Sequence, residues 1–181
     1  MRVKICGITN PEDLRLADAA GADYAGIIRW PHSKRYVDDA ALVALAAVPT
    51  RLKRVGVFMD ATPREIDRAV RLGHLDIVQL YRCSYRRAGI EVWHATPGHH
   101  RGPIVLDAAP GAGKVGDWPK AARWARQRRL ILAGGLNPEN VAEAVATVRP
   151  WCVDVAGGTE AAPGKKDPQK VTDFIRKAKT L

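Results

Sequence analysis

The sequence predicts an α/β fold, a compact (β/α)8 barrel of the TIM type with residues 1–181 as one domain, on three observations. Short β-rich runs recur along the chain, each followed by a Gly, Asn, Asp or Pro break and then by an apolar pattern of helical period, as in a parallel sheet with crossover helices. The runs number eight, the count at which a parallel sheet closes into this barrel. Proline also follows a capping residue at Asn10-Pro11, Thr62-Pro63, Asn137-Pro138 and Asp167-Pro168, which marks four helix starts.

The strands are expected near residues 2 to 6, 23 to 28, 53 to 58, 76 to 80, 90 to 94, 103 to 107, 129 to 133 and 151 to 156. The helix after the first strand starts at Asn10 and should end at Gly21. The helix after the third starts at Thr62, where Glu65 completes a capping box, and should end at Gly73. Residues 6 to 13 echo residues 133 to 140, either as two copies of a strand-loop-helix unit or through shared helix-start chemistry. Only residues 81 to 89 separate the fourth and fifth strands, and only 95 to 102 the fifth and sixth. Neither stretch holds a full crossover helix, which needs at least about ten to twelve residues. The helical segments after strands 4 and 5 are therefore expected to be shortened or missing, and a seven-stranded open sheet is the competing architecture. The strand surface left bare is expected to be covered by Trp93 packing sideways or by self-association through that region.

With 181 residues, 46% hydrophobic and 27% charged, the composition excludes disorder. A net charge of +10 favours an anionic partner. Tyr81 and Tyr85 lie among Arg82, Arg86 and Arg87, but no RNA-binding motif accompanies them, so a small phosphorylated molecule is expected and nucleic acid is not. Other basic clusters, at residues 123 to 129 and at Lys165, Lys166 and Lys170, read as solvated faces. Cys6, Cys83 and Cys152 form neither a disulfide framework nor a zinc set. No run approaches the roughly 18 apolar residues of a membrane span, and a cytoplasmic setting is expected. His94, His99 and His100 lack an acidic cluster, so no metal site is expected.

In such barrels the reactive groups gather at the carboxyl ends of the strands. Side-chain alternation puts Lys4 and Cys6 on one face of the first strand, with Val3 and Ile5 toward the helices, and makes Asp107 the last inward residue of the sixth. Taken alone, Cys6 also reads as a small buried apolar residue and Asp107 as a capping carboxylate. Gly134-Gly135 and Gly157-Gly158 follow the seventh and eighth strands, where loop amides commonly bind phosphate. Lys4 and Asp154 should pair inside the barrel if the eighth strand closes against the first; otherwise Lys4 snorkels out of the bottom.

Several motifs, in order along the whole chain, carry a resemblance. They are Lys4-Ile5-Cys6-Gly7-Ile8-Thr9, Ser33-Lys34-Arg35-Tyr36-Val37, Arg54-Val55-Gly56-Val57-Phe58, Val78-Gln79-Leu80, Leu106-Asp107, residues 134 to 141, and Pro163-Gly164-Lys165-Lys166-Asp167. The chain resembles the phosphoribosylanthranilate isomerase family, barrel enzymes of tryptophan biosynthesis. The resemblance implies a cofactor-free Amadori rearrangement with Cys6 as general base and Asp107 as general acid. It also implies that Arg35 holds the anthranilate carboxylate and that Gly134, Gly135, Gly157 and Gly158 hold the phosphate.

The sequence departs from the family at Tyr81-Arg82, where His-Gly is usual, at Arg29, where an apolar residue is usual, and at Gly157, where a serine is usual. These departures keep two alternatives in view: a barrel that binds phosphosugars or nucleic acid without catalysis, and an isomerase for a different aglycone.

Overall fold

The structure, a computed structural model, describes residues 1–95, 102–107 and 117–180. Eight parallel strands close in chain order: β1 (Arg2–Cys6), β2 (Tyr24–Ile28), β3 (Lys53–Met59), β4 (Ile77–Tyr81), β5 (Glu91–His94), β6 (Ile104–Asp107), β7 (Leu130–Ala133) and β8 (Cys152–Val155). The closing pair is β1 against β8, with Lys4 opposite Asp154. This excludes the seven-stranded open sheet.

Around the barrel run α1 (Pro11–Ala19), α2 (Asp39–Ala46), α3 (Pro63–Gly73), α4 (Trp118–Ala125), α5 (Val141–Val148) and α6 (Pro168–Lys179). The expected caps hold three of them: Asn10 accepts from Asp13 N at 2.8 Å, Asp167 accepts from Lys170 N at 3.0 Å, and Thr62 with Glu65 forms the capping box. Asp38 and Asp117 cap α2 and α4 in the same way. After β8 a small hairpin, β9 (Glu160–Ala162) with β10 (Lys165–Lys166), turns at Gly164, whose φ is +81°.

One helix start differs from expectation. The segment after β7 becomes helical at Val141, because the Asn137 side chain accepts from Glu139 N and Asn140 N while Asn140 accepts from Asn137 N, locking residues 137 to 140 into a turn. Gly73 is the last helical residue of α3, where the helix is expected to end, and the left-handed cap follows at His74 with φ +46°. Gly21, at φ +87°, does follow α1.

The outward residues of the strands, among them Val3, Ile5, Val78, Leu80, Ile104 and Leu132, pack with the helices in one apolar cluster. A second cluster fills the barrel's lower interior: Tyr24, Val55, Ile77, Trp93, Val105, Ile131 and Cys152. Trp93 is thus an interior residue, 0% exposed and edge-on to Tyr24 and Trp151, and does not cover the outside. Its register opposite Gln79 decides this, since Gln79 faces inward. Residues 82 to 90 between β4 and β5 carry no helix. The outside of that sector is met by Tyr85, which is buried and donates to Asp67 at 2.7 Å, together with Cys83 and Ile90. Most of the connection after β5, residues 96–101 with His99 and His100, lies outside the described residues.

Candidate active site

The carboxyl ends of the strands surround a cavity of about 700 Å³ whose lining includes Cys6, Arg35, Tyr81, Asp107, Asp154, Gly134, Gly135, Gly157 and Gly158. All seven residues expected at the site are among them. A groove of about 510 Å³ beside Arg29 and Arg68 opens on the outside of the barrel and touches none of these groups.

Cys6 ends β1, and the chain then turns at Gly7 with φ +76°. Its thiol lies in a tight interior: a Cβ on the facing Gly26 would stand 2.7 Å from Cys6 Sγ and 3.0 Å from Lys4 Cε. One residue pair below, Lys4 Nζ donates to Asp154 Oδ2 at 2.8 Å, with the lysine 0% exposed. Lys4 is therefore paired inside the barrel, and the snorkelling alternative falls. Burial pushes the Cys6 thiol above its ordinary pKa, and the nearby Lys4 ammonium only partly offsets this. Asp107 ends β6 in register with Ala133 of β7 and reaches the same mouth.

The glycine pairs give the far rim its shape. Gly134 and Gly135 take φ +88° and +66°, which few side chains tolerate. A Cβ on Gly158 would meet Leu136 O at 2.0 Å, so the loops after β7 and β8 are in backbone contact there. Gly157, where the resemblance leads one to expect serine, has room: a Cβ would find only Arg35 Nη2, at 3.4 Å.

Arg35 reaches the cavity from the loop after β2, its stem crossing Gly7, where a Cβ would stand 2.6 Å from Arg35 Cδ. Its Nε and Nη2 donate to the two oxygens of Glu160 at 2.7 and 2.6 Å. Lys166, read from the sequence as a solvated cation, is 2% exposed and donates to Cys6 O at 2.6 Å, Ala156 O at 3.0 Å and Glu160 Oε1 at 3.3 Å. Glu160 and Lys166 were thus missed at the sequence level. The signal was there in the Pro163-Gly164 turn, which folds β9 onto β10 and sets Lys166 opposite Glu160.

The departures resolve differently. Tyr81 is the last residue of β4 and its hydroxyl accepts from Gln79 Nε2 at 3.1 Å in the cavity wall. Arg82, where the resemblance leads one to expect glycine, sits at φ +53° and is clamped by Asp60 at 3.0 and 2.5 Å. A left-handed backbone of this kind is one that glycine adopts without steric cost. Arg29 is tied down on the outside of the barrel, where it donates to Val37 O and to Asp39 at 2.5 Å. Among the described residues no group of three His, Cys, Asp or Glu could hold a metal, and no helix is long and apolar enough to cross a membrane.

A parallel barrel with a thiol, a carboxyl, an arginine and two glycine-lined loops around one mouth defines the class: a (β/α)8-barrel enzyme with its candidate site at the carboxyl ends of the strands. Comparison with known proteins specifies it. The chain belongs to the N-(5'-phosphoribosyl)anthranilate isomerase family, whose sequence profile matches residues 3–95 and 87–177. The N-(5'-phosphoribosyl)anthranilate isomerase of Chromohalobacter salexigens is 43% identical over 96% of this chain and 92% of its own. A crystal structure described as mutually generated monomers of the dimeric enzyme from Thermotoga maritima superposes with a TM-score of 0.86 at 37% identity, covering both chains fully. A structure of the enzyme in complex with reduced 1-(o-carboxyphenylamino)-1-deoxyribulose 5-phosphate gives 0.85 at 36% identity, again over all of both chains.

Proposed function

We propose that this chain converts N-(5-phosphoribosyl)anthranilate to 1-(2-carboxyphenylamino)-1-deoxyribulose 5-phosphate by an Amadori rearrangement that needs no cofactor. The observation that carries the reading is the meeting of Cys6 and Asp107, from opposite sectors of the barrel, in one cavity with Arg35 and both glycine pairs. Asp107 gives its proton to the furanose ring oxygen, the C1–O bond breaks, and the nitrogen lone pair forms the iminium. The Cys6 thiolate then takes the C2 proton, and that electron pair neutralises the iminium to give an enolamine. Loss of the C2 hydroxyl proton and protonation at C1 give the ketone. Acid and base on separate strands allow both proton transfers without moving the substrate.

Arg35 offers a planar guanidinium to the anthranilate carboxylate, and the loops at Gly134-Gly135 and Gly157-Gly158 offer backbone N–H groups to the phosphate. The complex of a relative with a reduced, phosphorylated product analogue supports a ligand of this shape. The test is turnover of phosphoribosylanthranilate, made in situ from anthranilate and phosphoribosyl pyrophosphate and followed by fluorescence, with and without a chelator. Turnover that is unchanged by chelator is expected. No turnover by folded protein favours a binding role or another aglycone.

Self-association through the sector between β4 and β6 belongs to the same reading, supported by the dimeric state named for the Thermotoga maritima relative. Sedimentation showing a monomer at every concentration would remove it.

A further inference from the structure

We propose that Glu160, anchored by Lys166, is the positioning residue of the carboxylate subsite: it fixes the guanidinium of Arg35 so that one edge stays open to the substrate. The proposal rests on the reading that Arg35 receives the anthranilate carboxylate.

The geometry divides the guanidinium into two edges. Nε and Nη2 are both taken by Glu160, at 2.7 and 2.6 Å. The Nη1 protons and the second Nη2 proton have no partner among the described residues, and the side chain is 25% exposed where it lines the cavity. A guanidinium binds carboxylates two-pronged along one edge, so filling the Nε edge leaves the Nη1/Nη2 edge for a ligand.

The clamp has no freedom to become anything else. Glu160 Oε1 accepts from Arg35 Nε, from Lys166 Nζ at 3.3 Å and from Gly164 N at 3.3 Å. All three Lys166 protons are committed, to Cys6 O, Ala156 O and Glu160. Lys166 therefore takes no substrate group. It ties the clamp to the carbonyl of the residue that carries the thiol, which holds subsite and base in one register.

Charge completes the argument. Arg35 and Lys166 bring two positive charges and Glu160 one negative, so the cluster carries one net positive charge, matched to a single carboxylate. Without Glu160 the two cations would face each other with nothing between them, and the orientation of Arg35 would be lost with the attraction.

The test uses the full chain and two ligands: the reduced product analogue 1-(o-carboxyphenylamino)-1-deoxyribitol 5-phosphate, and the same molecule without the carboxyl group. Wild type should prefer the first by roughly tenfold or more, the worth of a two-pronged charged hydrogen bond. Glu160→Ala, Glu160→Gln and Lys166→Met should each bring that preference toward unity by weakening the carboxylated ligand alone, and in turnover the loss should enter through KM. Misfolding lowers the active fraction for both ligands without changing either dissociation constant, so a variant whose dissociation constants rise alike for both ligands overturns the proposal, as does one that changes neither. Should Glu160→Ala fail to fold, Glu160→Gln keeps the shape and decides. A wild type that binds both ligands equally refutes the role of Arg35 itself, and the proposal falls with it.

Discussion

Lys4 Nζ lies 2.8 Å from Asp154 Oδ2, fully buried, on the seam where β1 meets β8 and one inward step below Cys6. Burial alone would push the Lys4 amine down, but the charge and hydrogen bond of Asp154 outweigh it and raise it, so Lys4 keeps its proton. Breaking such a pair strands one buried charge, at a cost of about 3–5 kcal/mol. Asp154→Asn and Lys4→Met are each expected to lose that much in urea unfolding. The double variant Lys4→Met/Asp154→Leu should recover much of it.

The same lysine sets the thiol. Burial raises Cys6 and the Lys4 charge lowers it, with burial ahead. The thiolate, the form that serves as base, therefore grows in only above the ordinary cysteine pKa of about 8.5. Alkylation by iodoacetamide and kcat/KM should both climb with pH through that alkaline range. Lys4→Met should shift the alkylation curve to still higher pH, and an unshifted curve would mean that Lys4 does not act on the thiol.

Glu160 gives a stability signature of opposite sense. Burial would raise its carboxyl, but the Arg35 hydrogen bonds and the Lys166 and Arg35 charges outweigh that and hold it below the ordinary value. A folded-state pKa below the unfolded one means that the group's contribution is present above the unfolded pKa of about 4.3 and is lost as pH falls through the folded value. The gap in urea midpoint between wild type and Glu160→Gln should be widest near neutrality and should close below about pH 4.

At the phosphate rim two neighbouring glycines should behave differently. A Cβ on Gly158 meets Leu136 O at 2.0 Å, whereas on Gly157 it meets only the end of Arg35 at 3.4 Å. Gly158→Ala must push the loops after β7 and β8 apart, and overpacking of this kind costs about 1–3 kcal/mol. It should raise KM for the phosphorylated substrate and lower the urea midpoint, while Gly157→Ala should move the midpoint little.

The strands were legible because alternation and punctuation agree: each β-rich run ends at a residue that breaks it, and Pro11, Pro63 and Pro168 mark true helix starts. Alternation also put Lys4, Cys6 and Asp107 on the inner face, where they are, and closure of β8 on β1 pairs Lys4 with Asp154. Alternation could not do so for Trp93, because Val92 and Trp93 stand side by side in β5 as an apolar pair on opposite faces, and only the register of Trp93 opposite Gln79 of β4 sets which of them faces inward. Asn137-Pro138 looked like a cap, yet Asn137 and Asn140 bond each other's backbone and hold a turn. Lys166 was hidden by its type: a lysine reads as surface until its three acceptors are assembled from β1, β8 and β9.

The central claim is that Cys6 and Asp107 are base and acid of one reaction. It is tested most directly by phosphoribosylanthranilate turnover with wild type, Cys6→Ala and Asp107→Asn side by side, each shown to be folded by its urea transition. Wild type should turn over, and each variant should lose roughly 10²-fold or more, the usual weight of a positioned acid or base. Turnover that survives Cys6→Ala would show that another group takes the C2 proton and would contradict the account.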